Sequence, residues 1–234
     1  MSLTEIKKEL RALADPKIAA HSARFFKTGP GEYGEGDVFL GIRVPELRRL
    51  VKQYPNLPLE DIGKLLSSPR HEERLLALLL LVRRFAGGDD ATRRSVYNLY
   101  MKSRRFINNW DLVDASAPGV VGAYLQDKDR SILRKLARSP DLWTRRIAML
   151  ATFHFIKHGE FDDALELAGM LLSDEHDLMH KAVGWMLREI GKRDGTLLRR
   201  FLQSRYKKMP RTMLRYAIEK FPEKERKNYL AGNI

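Results

Sequence analysis

Trp110 and Asp114 stand four residues apart in the stretch Asn108-Asn109-Trp110-Asp111-Leu112-Val113-Asp114, near the middle of a chain of 234 residues. On a helix that spacing puts both side chains on one face, one turn above the other. Val113 and Ala117 complete an i, i+3, i+4, i+7 set with them, so the carboxylate lies in a stripe that is otherwise apolar. A carboxylate in such a setting must be paired, hydrogen-bonded or put to use. An indole face beside it carries negative quadrupole potential, so the pair is suited to a positively charged partner.

Two further groups hold similar residue types. Trp143, Arg145 and Arg146 are close in sequence, and Lys181 and Trp185 are again four apart. The elements that must position all of these read as helices. Leu3 to Leu13, Ile18 to Phe26, Glu46 to Tyr54 and Leu59 to Leu66 show apolar residues at three- and four-residue spacing, with no convincing strand alternation. The segment Gly29 to Gly36 interrupts them as a loop. It lacks the Gly-Lys-Ser/Thr ending and the preceding strand of a phosphate-binding loop.

The chain then repeats itself. Ser68-Pro69 followed by Arg74, Leu76 and Ala77 resembles Ser139-Pro140 followed by Arg145, Ile147 and Ala148, at an offset of 71 residues, two units of about 35 to 36. The intermediate unit falls on Asn109 to Asp114, and another runs from Ser173 through Lys181-Ala182-Val183-Gly184-Trp185. A period in this range made of helix pairs points to an all-α fold, a right-handed α-solenoid of HEAT-like repeats with a concave basic groove. One domain is expected over residues 1–234, with N-terminal helices over 1–54 and repeats from about 55 onward. In that register Trp110, Asp114, Arg146, Lys181 and Trp185 converge on one patch of the concave wall. The competing reading is ordinary core packing of both Trp and a structural Asp114–Arg146 ion pair.

Charge supports the groove. With 43 Lys and Arg against 30 Asp and Glu the net charge is +13 and the pI about 9.9, which favours a polyanionic partner, most simply nucleic acid. From Gly191 to Asn228 there are 13 basic residues against 4 acidic ones. Cysteine is absent, which excludes disulfides, cysteine nucleophiles and thiolate metal sites. The longest apolar run, Leu75 to Val82, is too short to span a bilayer, and the N-terminus has no signal-peptide core, so a soluble cytoplasmic protein without a membrane partner is expected.

Four motifs, Phe39-Leu40-Gly41-Ile42-Arg43-Val44-Pro45, Trp110-Asp111-Leu112-Val113-Asp114, Leu142-Trp143-Thr144-Arg145-Arg146 and Lys181 to Glu189, together resemble the AlkD family of HEAT-like DNA alkylation-repair glycosylases. The resemblance runs from about Ala23 to the basic C-terminal helices. It implies a monofunctional enzyme that hydrolyses the N-glycosidic bond of cationic N3- and N7-alkylated purines in duplex DNA, without drawing the base into a pocket and without a cofactor. It implies Asp114 as the catalytic carboxylate, Trp110 and Trp185 as aromatic walls against the deoxyribose, and Arg146 as the cation beside the phosphate. Arg43, Trp143, Arg145, Lys181 and Phe25 are then DNA contacts. Phe25 matches a position that carries an aromatic hydroxyl in some members, and Arg43 one that carries Gln in others. Such an enzyme would act as a monomer, nucleoid-associated when bound to DNA.

Other readings compete. A HEAT array could bind DNA or RNA without chemistry, leaving Asp114 structural, or could serve as a protein scaffold, against which the basic charge argues. Lys181 as a Schiff-base nucleophile is not indicated. The pairs His154/His158 and His176/His180 have chelating i, i+4 spacing but lack the Glu of a His-Glu-x-x-His site, so no metal is expected.

Overall fold

The computed structural model describes residues 2–234. Helices account for all of its regular structure; among the described residues no β-strand forms, and Val38 and Arg70 make an isolated parallel bridge. Contacts gather into two compact units, Met1–Val120 and Val121–Ile234. No described helix is long and apolar enough to cross a membrane.

The first unit holds α1 (Leu3–Ala12), α2 (Pro16–Phe25), α3 (Val44–Gln53), α4 (Leu59–Leu66), α5 (His71–Gly87), α6 (Asp90–Lys102) and α7 (Trp110–Asp114). Most starts follow from local chemistry. Ser2 and Glu5 close a capping box on α1. Helix α2 begins two residues before the apolar pattern suggests, because the Asp15 carboxylate accepts from the backbone N–H groups of Lys17 (2.8 Å) and Ile18 (3.2 Å), and Pro16 is preset for the first helical position. Pro45 sits likewise in the first turn of α3, at its second position. The centre of the unit is α5, whose Leu75, Leu76, Ala77, Leu78, Leu80, Leu81 and Phe85 are all buried. Each such Leu contributes on the order of 1.5–3 kcal/mol by leaving water.

Helix α5 also starts with four consecutive buried polar residues, His71-Glu72-Glu73-Arg74. Buried charge is tolerated only when partnered, and each has its partners. Glu72 accepts from the backbone N–H groups of Leu40 (2.8 Å), Gly41 (2.8 Å) and Ile42 (3.2 Å), fastening the segment that leads into α3. Gly41 is required there. Its φ is +81°, and a Cβ would lie 2.0 Å from the Asp15 carbonyl oxygen. Glu73 pairs with Lys7 and Arg70. Arg74 donates to the Ser68 carbonyl (3.0 Å) and to Asp37 (2.6 Å).

In the second unit lie α8 (Ala123–Leu125), α9 (Ser131–Ala137), α10 (Leu142–Lys157), α11 (Asp162–Met170), α12 (Asp177–Gly191), α13 (Gly195–Gln203), α14 (Arg211–Ala217) and α15 (Glu223–Ala231). Helix α10 packs on α9, α11 and α12, and α12 on α13 and α14. Gly184 lets α12 approach α14 closely: a Cβ there would come within 2.5 Å of the Met213 carbonyl oxygen. Arg145 of α10 repeats the device of Arg74. Its guanidinium donates to the Ser139 carbonyl (3.0 Å), six residues back, and to an acidic partner, Asp174 (2.6 Å). The Ser-Pro-to-Arg repeat seen in the sequence is therefore one hydrogen-bonded turn used twice.

Candidate functional site

Helix α7 is a single short turn, and its neighbourhood explains why it holds its place. Asn109, fully buried, accepts from the Trp110 N–H through its side-chain oxygen (2.8 Å), and Asp111 accepts likewise from Leu112 (2.8 Å). After Ala115 the chain turns, and a wide π-type turn follows over Pro118–Gly122, where proline has no N–H to continue an α-helix. The expected apolar stripe divides. Val113 and Ala117 are fully buried, while Trp110 and Asp114 are half-buried at its edge. Beneath them, buried Tyr100 meets the Ser116 hydroxyl at 3.0 Å, and Ser116 donates to the Leu112 carbonyl at 2.5 Å. Burial pushes the Tyr100 phenol up, and the nearby Asp114 charge adds to that shift.

Trp110 stands at the end of a column of rings. Its indole stacks on Phe26 (5.3 Å between centroids, 27°), Phe26 on Phe39 (5.1 Å, 15°), and Phe39 on the imidazole of His71 (4.5 Å, 23°). Phe25, exposed, meets Trp110 edge-on at 6.1 Å. His71 lies between two carboxylates: Nδ1 is 3.0 Å from Asp37 and Nε2 2.8 Å from Asp111, the residue after Trp110. Burial alone would lower its pKa, but the hydrogen bonds it donates to Asp111 and Asp37, and their charges, raise it to about 9. His71 is thus an imidazolium near neutrality, donating through both nitrogens. Asp37 also takes Arg74 and the Asn109 amide; burial would raise its carboxyl, but His71 and Arg74 hold it below the usual value. A cleft of about 710 Å³ opens beside this cluster, lined by Phe26, Phe39, Val44, His71, Asp111, Lys17 and Arg43.

The second unit holds the remaining candidates. Trp185 is half-buried, packs on Phe153 at 5.7 Å and donates its indole N–H to Glu189 (3.3 Å). Burial would raise the Glu189 carboxyl, yet Lys192 (2.5 Å) and Arg193 (3.2 Å) hold it low. Lys181 pairs with Asp177 at 2.6 Å, one turn earlier on α12. Arg146 is 4% exposed and donates to the Leu178 carbonyl at 2.5 Å, which ties α10 to the start of α12. Trp143 is buried, and Arg145 has its guanidinium committed to Asp174, Ser139 and Pro140. These bonds tie Arg145 to the turn before α10 and to the segment before α12. The histidine pairs are also employed locally. His158 Nδ1 lies 2.8 Å from the His154 carbonyl, His176 caps α12, and His180 Nε2 lies 2.5 Å from the Asp174 carbonyl.

Residues 6–221 match the family model of DNA alkylation repair enzymes. The chain belongs to the DNA alkylation repair enzyme family. A solved structure from Enterococcus faecalis, described as "Predicted DNA alkylation repair enzyme", has the same fold: the TM-score is 0.69 over 90% of this chain and 97% of that one, at 18% identity. No curated protein matches.

For this member of the family, the structure brings Phe25 to Trp110 and puts Arg43 at the start of α3 beside the cleft. Sequence reasoning missed Asp37, His71 and Asp111, and with them Phe26 and Phe39 as a ring column. One signal was present: His-Glu-Glu-Arg immediately before an apolar run asks for buried partners, and Asp111 sits between two residues already singled out.

Proposed function

We propose that this DNA alkylation repair protein is a monofunctional glycosylase of the AlkD kind, hydrolysing the N-glycosidic bond of cationic N3- and N7-alkylated purines in duplex DNA without base flipping. The observation that carries the reading is the half-buried pair Trp110 and Asp114, held at one-turn spacing on a turn whose anchors are buried. An alkylated purine already bears positive charge, so it leaves with the electron pair of the breaking C1′–N bond and becomes neutral. The remaining demand is the oxocarbenium-like charge on the sugar. Asp114 stabilises that charge and orients the attacking water, whose oxygen bonds to C1′ while its proton passes to Asp114 or solvent. The Trp110 face adds on the order of 0.5–2 kcal/mol beside a cation. Trp185, Arg146 and Lys181, on the second unit, are further DNA contacts in this reading. Phe25 and Arg43 contact the duplex from the first.

The test is release of free base from duplex DNA carrying N7-methylguanine or N3-methyladenine. Liberation of the modified base from an otherwise intact strand, without strand scission, is the expected result. A folded protein that binds the duplex and releases neither base would leave a non-catalytic DNA-binding role in its place.

A further inference from the structure

We propose that His71 is a positioning residue for Trp110: bridging Asp37 and Asp111 as an imidazolium, it holds the first turn of α7 and, through the rings of Phe39 and Phe26, sets the plane of the indole. Two independent routes lead from His71 to the same side chain. One is polar, from Nε2 to Asp111, whose backbone directly follows Trp110. The other is the unbroken ring column from imidazole to indole. His71 is 2% exposed, so losing either bond leaves a buried polar group at a cost. Its far side is fixed as well, since Asp37 is gripped by Arg74 and Asn109.

The charged groups around the imidazole come from three elements: Asp37 from the α2–α3 connection, Asp111 from α7, and Arg74 with Glu72 from α5. Two carboxylates facing one ring require both ring nitrogens to donate. Loss of the proton leaves one carboxylate facing a lone pair and loosens one end of the bridge. An indole displaced by even about 1 Å from the reacting sugar can cost up to roughly a hundredfold in rate. The importance of this for catalysis rests on the glycosylase reading; the positioning itself does not.

The experiment therefore reads both. In ¹H–¹⁵N spectra of the full-length protein each of the three tryptophans gives one indole signal, and that of Trp110 is assigned by its loss in Trp110→Phe. In His71→Gln, whose amide is uncharged and carries both its N–H groups on one nitrogen, the Trp110 signal should shift or broaden while those of Trp143 and Trp185 stay. Base release at saturating enzyme should slow by about tenfold to a hundredfold with duplex affinity little changed. The parent's decline in release as pH rises through about 9 should be absent in the variant. Should His71→Gln fail to fold, Asp111→Ala removes the polar route and leaves Asp37–Arg74 intact. An unmoved Trp110 signal in the folded variant, with release at the parent rate, overturns the proposal. If the parent releases no base, the glycosylase reading fails, and the indole signal alone decides: a shift supports positioning, and none overturns it.

Discussion

His71, Asp37 and Asp114 show how environment assigns different tasks to titratable groups a few residues apart in space. His71 gains a proton on folding, with a folded pKa of about 9 against an ordinary value of 6.5. Its contribution is fully present below the unfolded value and is lost as pH rises through about 9. That difference corresponds to roughly 3 kcal/mol. Asp37 has a depressed pKa, so its contribution is present above the ordinary carboxylate range and is lost toward acid. Urea midpoints should therefore fall between pH 7 and 10, and His71→Gln should flatten that slope while lowering the midpoint at pH 7. A parent midpoint constant up to pH 10 would show that folding does not raise the His71 pKa. Asp114 is half-buried at the edge of the core, and its proposed part in the chemistry is tested by replacing it.

Among the elements, the connection from α2 to α3 is the most constrained. Gly41→Ala would add a Cβ 2.0 Å from a backbone oxygen at a φ of +81°. The strain and the displaced Glu72 hydrogen bonds should together cost about 2–4 kcal/mol in denaturant unfolding. A loss under about 1 kcal/mol, the cost of an ordinary unfavourable φ, would mean that the segment relaxes easily. Helix identity and most starts were legible from apolar spacing; α4 runs over Leu59–Leu66 as expected, while α2 and α3 begin about two residues early because Pro16 and Val44-Pro45 belong to the helices. Helix α7 was legible as a turn carrying Trp110 and Asp114, but its brevity was not, since it depends on Pro118 and on buried Ser116 and Tyr100. The partners of His71 were illegible for a simpler reason. They lie 34 and 40 residues away, and no local pattern encodes such contacts.

At the scale of the molecule, charge and family point the same way. Part of the basic C-terminal surplus is spent internally: Arg199 grips Glu225 at 2.7 and 2.8 Å, and Glu219 pairs with Arg188 and Lys220. Lys207 and Lys208 are exposed. Duplex affinity should fall steeply with salt, log–log slope about −0.9 per phosphate neutralised. Replacing both lysines with Gln should flatten it by about 1–2 units, and an unchanged slope would exclude that surface from the interface. The all-helical class and the family were readable from sequence, because apolar periodicity and four motifs extend along the chain. The division into two units at Val120 was not, for no Pro- or Ser-rich linker marks it. The most direct measurement is single-turnover release of N7-methylguanine by Asp114→Asn beside the parent, with duplex affinity measured for both. A part for Asp114 in the chemistry predicts parent-like binding and release at least about tenfold slower, a loss of about 1.4 kcal/mol of transition-state stabilisation. Equal release rates would contradict it and remove Asp114 from the chemistry.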